Sequence, residues 1–346
     1  MQQGYFHRVQ AYTPTRFWIN NVTREEADLA LAAGAMGCTQ NPSYTYKMLT
    51  SGSEKEYTLS LLDSALPKTA DNTEAQVLLQ RELVSAIAKK FMPLYESSNG
   101  RLGYVSIQGD PINEDADTIV RYARMNREGG PNIMAKIPAT PDGLKAIEIL
   151  LKEGCPINAT EVMCVRQALD VCDVYEKATK GMAKPPVIYY SHIAGIFDEY
   201  MKTHNAKENW GIPEDFLYQA GLIVARKIHQ MVADRDINVG FISGGARGLH
   251  HFTEWVGSTT SVTINWVGTA DKLIEQNPPV VSRFFAPSPD AVVDCLLEKS
   301  EVFRKAYLHN AIEPEEYEDY GPVELFRSMF VDSWNSALEI IEKRRK

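Results

Sequence analysis

Eight short apolar runs alternate with helical segments along this chain, and few architectures accommodate that many. The runs fall at residues 16–21, 36–39, 103–108, 132–137, 155–160, 187–191, 237–243 and 262–266. A helix between two strands carries the chain back to where it started, so successive strands lie parallel. Eight such units favour one closed TIM (β/α)8 barrel over a doubly wound open sheet. The intervening segments carry helix signals. Thr23-Arg-Glu-Glu26 is a capping box and Gly34 a stop. Residues 44–66 read as a helical insertion, and 73–95 as a long helix with Val77, Leu78, Val84, Ile87 and Phe91 on one side. Helices are also expected at 161–177 and 213–233, with an irregular polar stretch at 202–211.

Past the eighth run come a helix at 270–276, a proline-rich bend at 278–289 and helices at 290–307 and 323–345. The last places Phe326, Phe330 and Trp334 four apart, a seam expected to dock onto the barrel rather than onto a partner. The chain is thus read as one domain over 1–346, with the barrel at about 16–277 and a helical extension at about 278–346. The net charge of −9 argues against binding nucleic acid or an anionic membrane. No window approaches the ~18 apolar residues of a membrane span, and the first residues lack a signal core, so the cytoplasm is the expected location. Five cysteines with no C-x-x-C pair read as reduced core residues.

One stretch points to chemistry. Asn132-Ile-Met-Ala-Lys136-Ile-Pro-Ala-Thr-Pro-Asp-Gly143 ends a strand on a lysine, then opens a helix with Thr140 as N-cap and Pro141 at its first position. The C-terminal ends of barrel strands are where such folds do chemistry. An amine attacks a carbonyl only when neutral, and burial favours the neutral form. The residues alone leave two readings: a nucleophile, or a strand-end lysine whose stem snorkels along apolar surface.

The lysine stretch, together with Thr39-Gln-Asn-Pro-Ser43, Val105-Ser-Ile-Gln-Gly-Asp-Pro111 and Asn158-Ala-Thr160, resembles the transaldolase family from about residue 16 to the last helix. The resemblance implies a class I aldolase barrel that needs no cofactor or metal and acts on a sugar or sugar phosphate, and it suggests a homodimer. It makes Lys136 the Schiff-base lysine and Thr160 the holder of a catalytic water. Asn41 and Asn158 would grip donor hydroxyls, while Ser191 and Arg247 would sit at the phosphate.

The departures are specific. Asn20 and Gln108 stand where the family carries acid–base carboxylates, and an amide does not exchange protons near neutral pH. Ile193 stands where the fructose-6-phosphate aldolase branch has a tyrosine, and Ile196 where the second phosphate arginine belongs. Tyr189 and His192 are the candidate replacement proton donors, with a plain core role as Tyr189's alternative. His250 and Glu254, four apart, lack a third ligand for a metal. The expected activity is a Schiff-base aldolase or transaldolase with altered specificity. The alternatives are ordinary transaldolase action on sugar phosphates and a barrel that only binds a carbonyl ligand or a partner.

Overall fold

The computed structural model describes residues 4–346. Eight parallel strands close into a barrel in sequence order: β1 (Arg16–Asn20), β2 (Cys38–Gln40), β3 (Val105–Gln108), β4 (Ile133–Pro138), β5 (Ile157–Val162), β6 (Ile188–His192), β7 (Gly240–Ser243) and β8 (Ser261–Asn265). β1 closes on β8 in register from Arg16↔Ser261 to Asn20↔Asn265. The expected architecture is the one the chain adopts.

Strand alternation sorts the side chains into two cores. Phe17, Ile19, Val105, Ile107, Ile133 and Ile137 point outward and pack beneath the surrounding helices. Trp18, Tyr104, Met134 and Ile242 point inward and form a separate apolar cluster, against which Tyr189 packs. This plug leaves only the C-terminal mouth open for polar groups. Pairing then sets Gln108, Lys136 and Asn158 side by side across β3, β4 and β5.

Several boundaries differ from the sequence reading. The polar stretch at 202–211 is mostly helical, within Ala194–Glu208, and ends at Asn209 in the left-handed conformation. The expected helix at 213–233 splits into Glu214–Leu217 and Ala220–Ala233, and that at 290–307 breaks at Ser300, whose hydroxyl caps the next helix. A helix over Ala116–Arg127, capped by Asp115, was not anticipated. The most consequential difference lies at residue 161. The strand runs on through Val162 and the helix begins only at Val165, with Cys164 as its cap.

The helix Gly321–Arg345 docks as its aromatic spacing required. Trp334 is buried beside Val77 and Tyr122, and Arg345 donates to the carbonyls of Leu66 and Thr69. Phe326, Met329, Phe330 and Ser333 reach the barrel mouth, so the same helix roofs the central pocket. Among the described residues, no helix is long and apolar enough to cross a membrane.

Candidate active site

Lys136 lies at the floor of that pocket, 7% exposed, with its ammonium nitrogen 5.7 Å from the Phe330 ring centre. The helix after β4 starts hard against the strand end. A Cβ at Gly143 would sit 1.8 Å from the Pro138 carbonyl oxygen, so only glycine lets the turn close, and Thr140 caps it by accepting from the Gly143 N–H at 3.2 Å. Burial lowers the lysine pKa from 10.5 to about 8, outweighing the opposing charge of Glu161. At pH 7 about one lysine in ten is then neutral, against about one in three thousand at the ordinary value.

Amides and hydroxyls surround the lysine in a pocket of about 290 Å³. Asn158 donates to Ser106 Oγ at 3.1 Å and accepts from Ser191 Oγ at 2.6 Å, which fixes its rotamer. Asn41 is held by the Asn21 amide at 2.8 Å and the Ser43 hydroxyl at 2.5 Å, both bonded to its carbonyl oxygen, leaving its NH2 group to donate. Asn20 accepts from Thr39 Oγ at 2.9 Å and donates to Asn265 Oδ1 at 2.9 Å. Lys136, Thr160, Asn20, Asn41, Asn158 and Ser191 therefore line one pocket. Asn21, Thr263 and Asn265 join them unanticipated, because no local motif marks them.

Gln108 stands behind the lysine and donates through its NH2 to two carboxylates, Glu161 Oε1 at 3.0 Å and Glu114 Oε1 at 3.3 Å. Alternation should turn Glu161 outward. Instead it has φ +63°, in a strand whose register to β6 shifts between Ala159 and Val162, and its side chain is buried. A bulge beside a pocket redirects a side chain, and a non-glycine residue at positive φ is strained. Burial raises the pKa of both carboxyls, and the charge of Glu161 raises that of Glu114 further. Arg327, from the roofing helix, approaches Glu114 at 3.6 Å. The sequence carried one signal of this arrangement, an acid directly after Thr160, but the helical reading assigned it to a first turn.

The two candidate proton donors are elsewhere. Tyr189 sits in the inner plug with its ring 5.4 Å from Trp18, because it lies two residues below Ser191 on the inward face. His192 has the opposite parity and points out to the helices. Its ring nitrogens lie 2.9 Å from the Val162 carbonyl and 3.0 Å from that of Gly221, and burial lowers its pKa to about 4. Arg247 reaches the pocket rim but is engaged by Glu199 at 2.6 Å. Ile193 and Ile196 present hydrocarbon where the family's aromatic and second arginine would stand. Glu254 pairs with Arg283 at 2.9 Å rather than with His250. Asp198, His250 and His251 do lie together, with ligand atoms within 4.8 Å of one another. Within that group His251 donates to Asp198 at 3.0 Å and accepts the Arg247 N–H at 3.3 Å, propping the loop that carries the arginine.

The chain is thus a closed parallel α/β barrel whose fourth strand presents a buried lysine to a ring of amides and hydroxyls. The pattern of the Transaldolase/Fructose-6-phosphate aldolase family matches residues 17–293, and the chain belongs to that family. It is 31% identical over 170 residues to a transaldolase of Thermobifida fusca, a match that covers 46% of this chain and 45% of the relative. A transaldolase of Trichodesmium erythraeum is 26% identical over 215 residues, covering 54% of each chain. The chain spans about half the length of the curated relatives it matches.

Proposed function

We propose that the protein is a Schiff-base aldolase or transaldolase that forms an imine through Lys136 with a polyhydroxylated ketone and breaks or makes the adjacent carbon–carbon bond. The observation that carries this reading is the lysine itself: buried, partly neutral near physiological pH, and set at the floor of a pocket whose other polar groups suit sugar hydroxyls. The neutral amine adds to the donor carbonyl carbon. Loss of the resulting hydroxyl as water gives a protonated imine. Removing the proton of the β-hydroxyl then breaks the carbon–carbon bond, with the electron pair drawn toward the iminium nitrogen to form an enamine. Asn158 and Asn41 donate hydrogen bonds to the donor hydroxyls, which orients the bond to be broken.

The specificity is altered at the phosphate end. A tail phosphate would meet one guanidinium, already paired with Glu199, where two would bind it. We therefore assign a ketose donor whose affinity rests on its hydroxyls, with a phosphate only weakly held. Five unpaired cysteines, four of them buried, suit a reducing cytoplasmic setting. The test is inactivation by borohydride across a panel of ketoses and ketose phosphates. Activity should be lost only when a ketose is present, and ketose-independent behaviour would leave the barrel a binding protein.

A further inference from the structure

Three buried oxygens without a hydrogen-bond partner belong to residues around the lysine, Gln108 Oε1, Thr160 Oγ1 and Glu161 Oε2, while Glu114 Oε2 faces Arg327 at 3.6 Å. Leaving a buried polar atom unpaired costs about 1–3 kcal/mol, so three around one amine indicate polar groups held for use. A cavity of about 20 Å³ opens beside Gln108, lined also by Glu114 and Lys136, with room for one water molecule. Lys136 faces this cavity on one side and the substrate pocket on the other.

We propose that Glu161, joined to Glu114 through the Gln108 amide, is the proton relay for the reaction at Lys136, in place of the carboxylates that Asn20 and Gln108 replace. This rests on the imine chemistry assigned above. The side chain of Glu161 does not line the substrate pocket. It therefore acts through Lys136 and the Gln108 amide, both of which line the small cavity that can hold a water, as a relay and positioning residue.

The charges set the proton count. The groups facing Glu161 are Lys136 from β4, Glu114 from the loop after β3, and Arg327 with Glu318 from the roofing helix and the segment before it. With Arg327 charged and Lys136 neutral, one proton shared by Glu161 and Glu114 avoids two buried anions side by side. In the reactive form, about one chain in ten at pH 7, the pair is a neutral amine and a neutral acid. When the carbinolamine forms, the acid gives its proton to the departing hydroxyl, which leaves as water, and the products are an iminium and a carboxylate. The carboxylate next receives the proton of the substrate β-hydroxyl as the carbon–carbon bond breaks. An enamine, an aldehyde and the protonated acid remain, and the proton has returned to its origin. Strain at Glu161 fits this role, since the positive φ is what brings a β5 carboxyl across β4 to the amide on β3.

The test compares Glu161→Gln with the parent. Turnover of a cleavable ketose should fall about 10²–10⁴-fold, and the carboxyl limb should disappear from the pH profile of kcat. The endpoint yield of borohydride-trapped Lys136 adduct should stay unchanged. Gln108→Glu added to Glu161→Gln restores a carboxyl beside the lysine and should recover at least tenfold in rate, which a purely structural role for Glu161 would not produce. If Glu161→Gln folds poorly, the parent carries the test without turnover: an infrared C=O band of a protonated carboxylic acid near neutral pH that changes on binding a ketose supports the relay, and the absence of any such band overturns it. Retention of rate and pH profile within about twofold in Glu161→Gln, with the adduct still formed, overturns the relay and leaves the imine standing. Absence of any adduct in the parent removes the imine reading itself.

Discussion

Replacing Lys136 by methionine should stabilise the protein at neutral pH while abolishing its chemistry. The side chain is 7% exposed, so solvent screens its charge little, and burial lowers its pKa from 10.5 to about 8. The unfolded chain protonates near the ordinary value. Between the two pKa values the unfolded state holds a proton that the folded state lacks, so the lysine's contribution to stability rises with pH in that window. Below about 8 both states are protonated and the folded state bears the full cost of a buried ammonium. At about 1.4 kcal/mol per pH unit that cost is about 3 kcal/mol. Methionine has similar length and no charge, so Lys136→Met removes the cost and keeps the packing against Phe330. Urea unfolding of both proteins at pH 7, 8.5 and 10.5 reads it directly. The variant should be more stable by about 3 kcal/mol at pH 7, with the gap closing as pH rises. Equal midpoints at pH 7, or a gap independent of pH, would refute the claim that the lysine is held in a desolvated, pKa-lowering site.

Two further perturbations bear on the pocket. Phe330→Ala opens the roof over the lysine. Desolvation is the leading cause of the lowered pKa, so admitting water should move the acidic limb of kcat/KM to higher pH, whereas an unmoved limb would show that the aromatic roof does not desolvate the amine. Glu199→Gln frees Arg247 from its ion pair, and calorimetry should then show inorganic phosphate binding about three- to tenfold tighter; unchanged binding would mean that the rim arginine is no phosphate ligand.

The barrel was legible because strand and helix periods alternate cleanly and β4 ends on a motif whose proline, cap and glycine each have a fixed place. The residues that line the pocket on β2, β4, β5 and β6 were legible for the same reason: a strand-end residue of inward parity faces the mouth. Parity also accounts for what failed. His192 was one residue out of phase and points to the helices, and Tyr189 was one layer too deep. Glu161 was invisible because it breaks the alternation through a bulge and a left-handed residue, neither of which periodicity records. Glu114 lies in the loop after β3, and its meeting with Gln108 depends on how that loop folds back. The polar 202–208 segment was misread as irregular because it lacks an apolar stripe, although its residues are adequate helix formers.

The most direct test of the account is the mass of the peptide that contains Lys136 after borohydride reduction in the presence of a ketose donor. The account predicts that this peptide alone gains the mass of the reduced donor, that the yield approaches one per chain, and that Lys136→Met gains nothing. A protein that turns over the ketose yet carries no adduct, or carries it on another lysine, would contradict it.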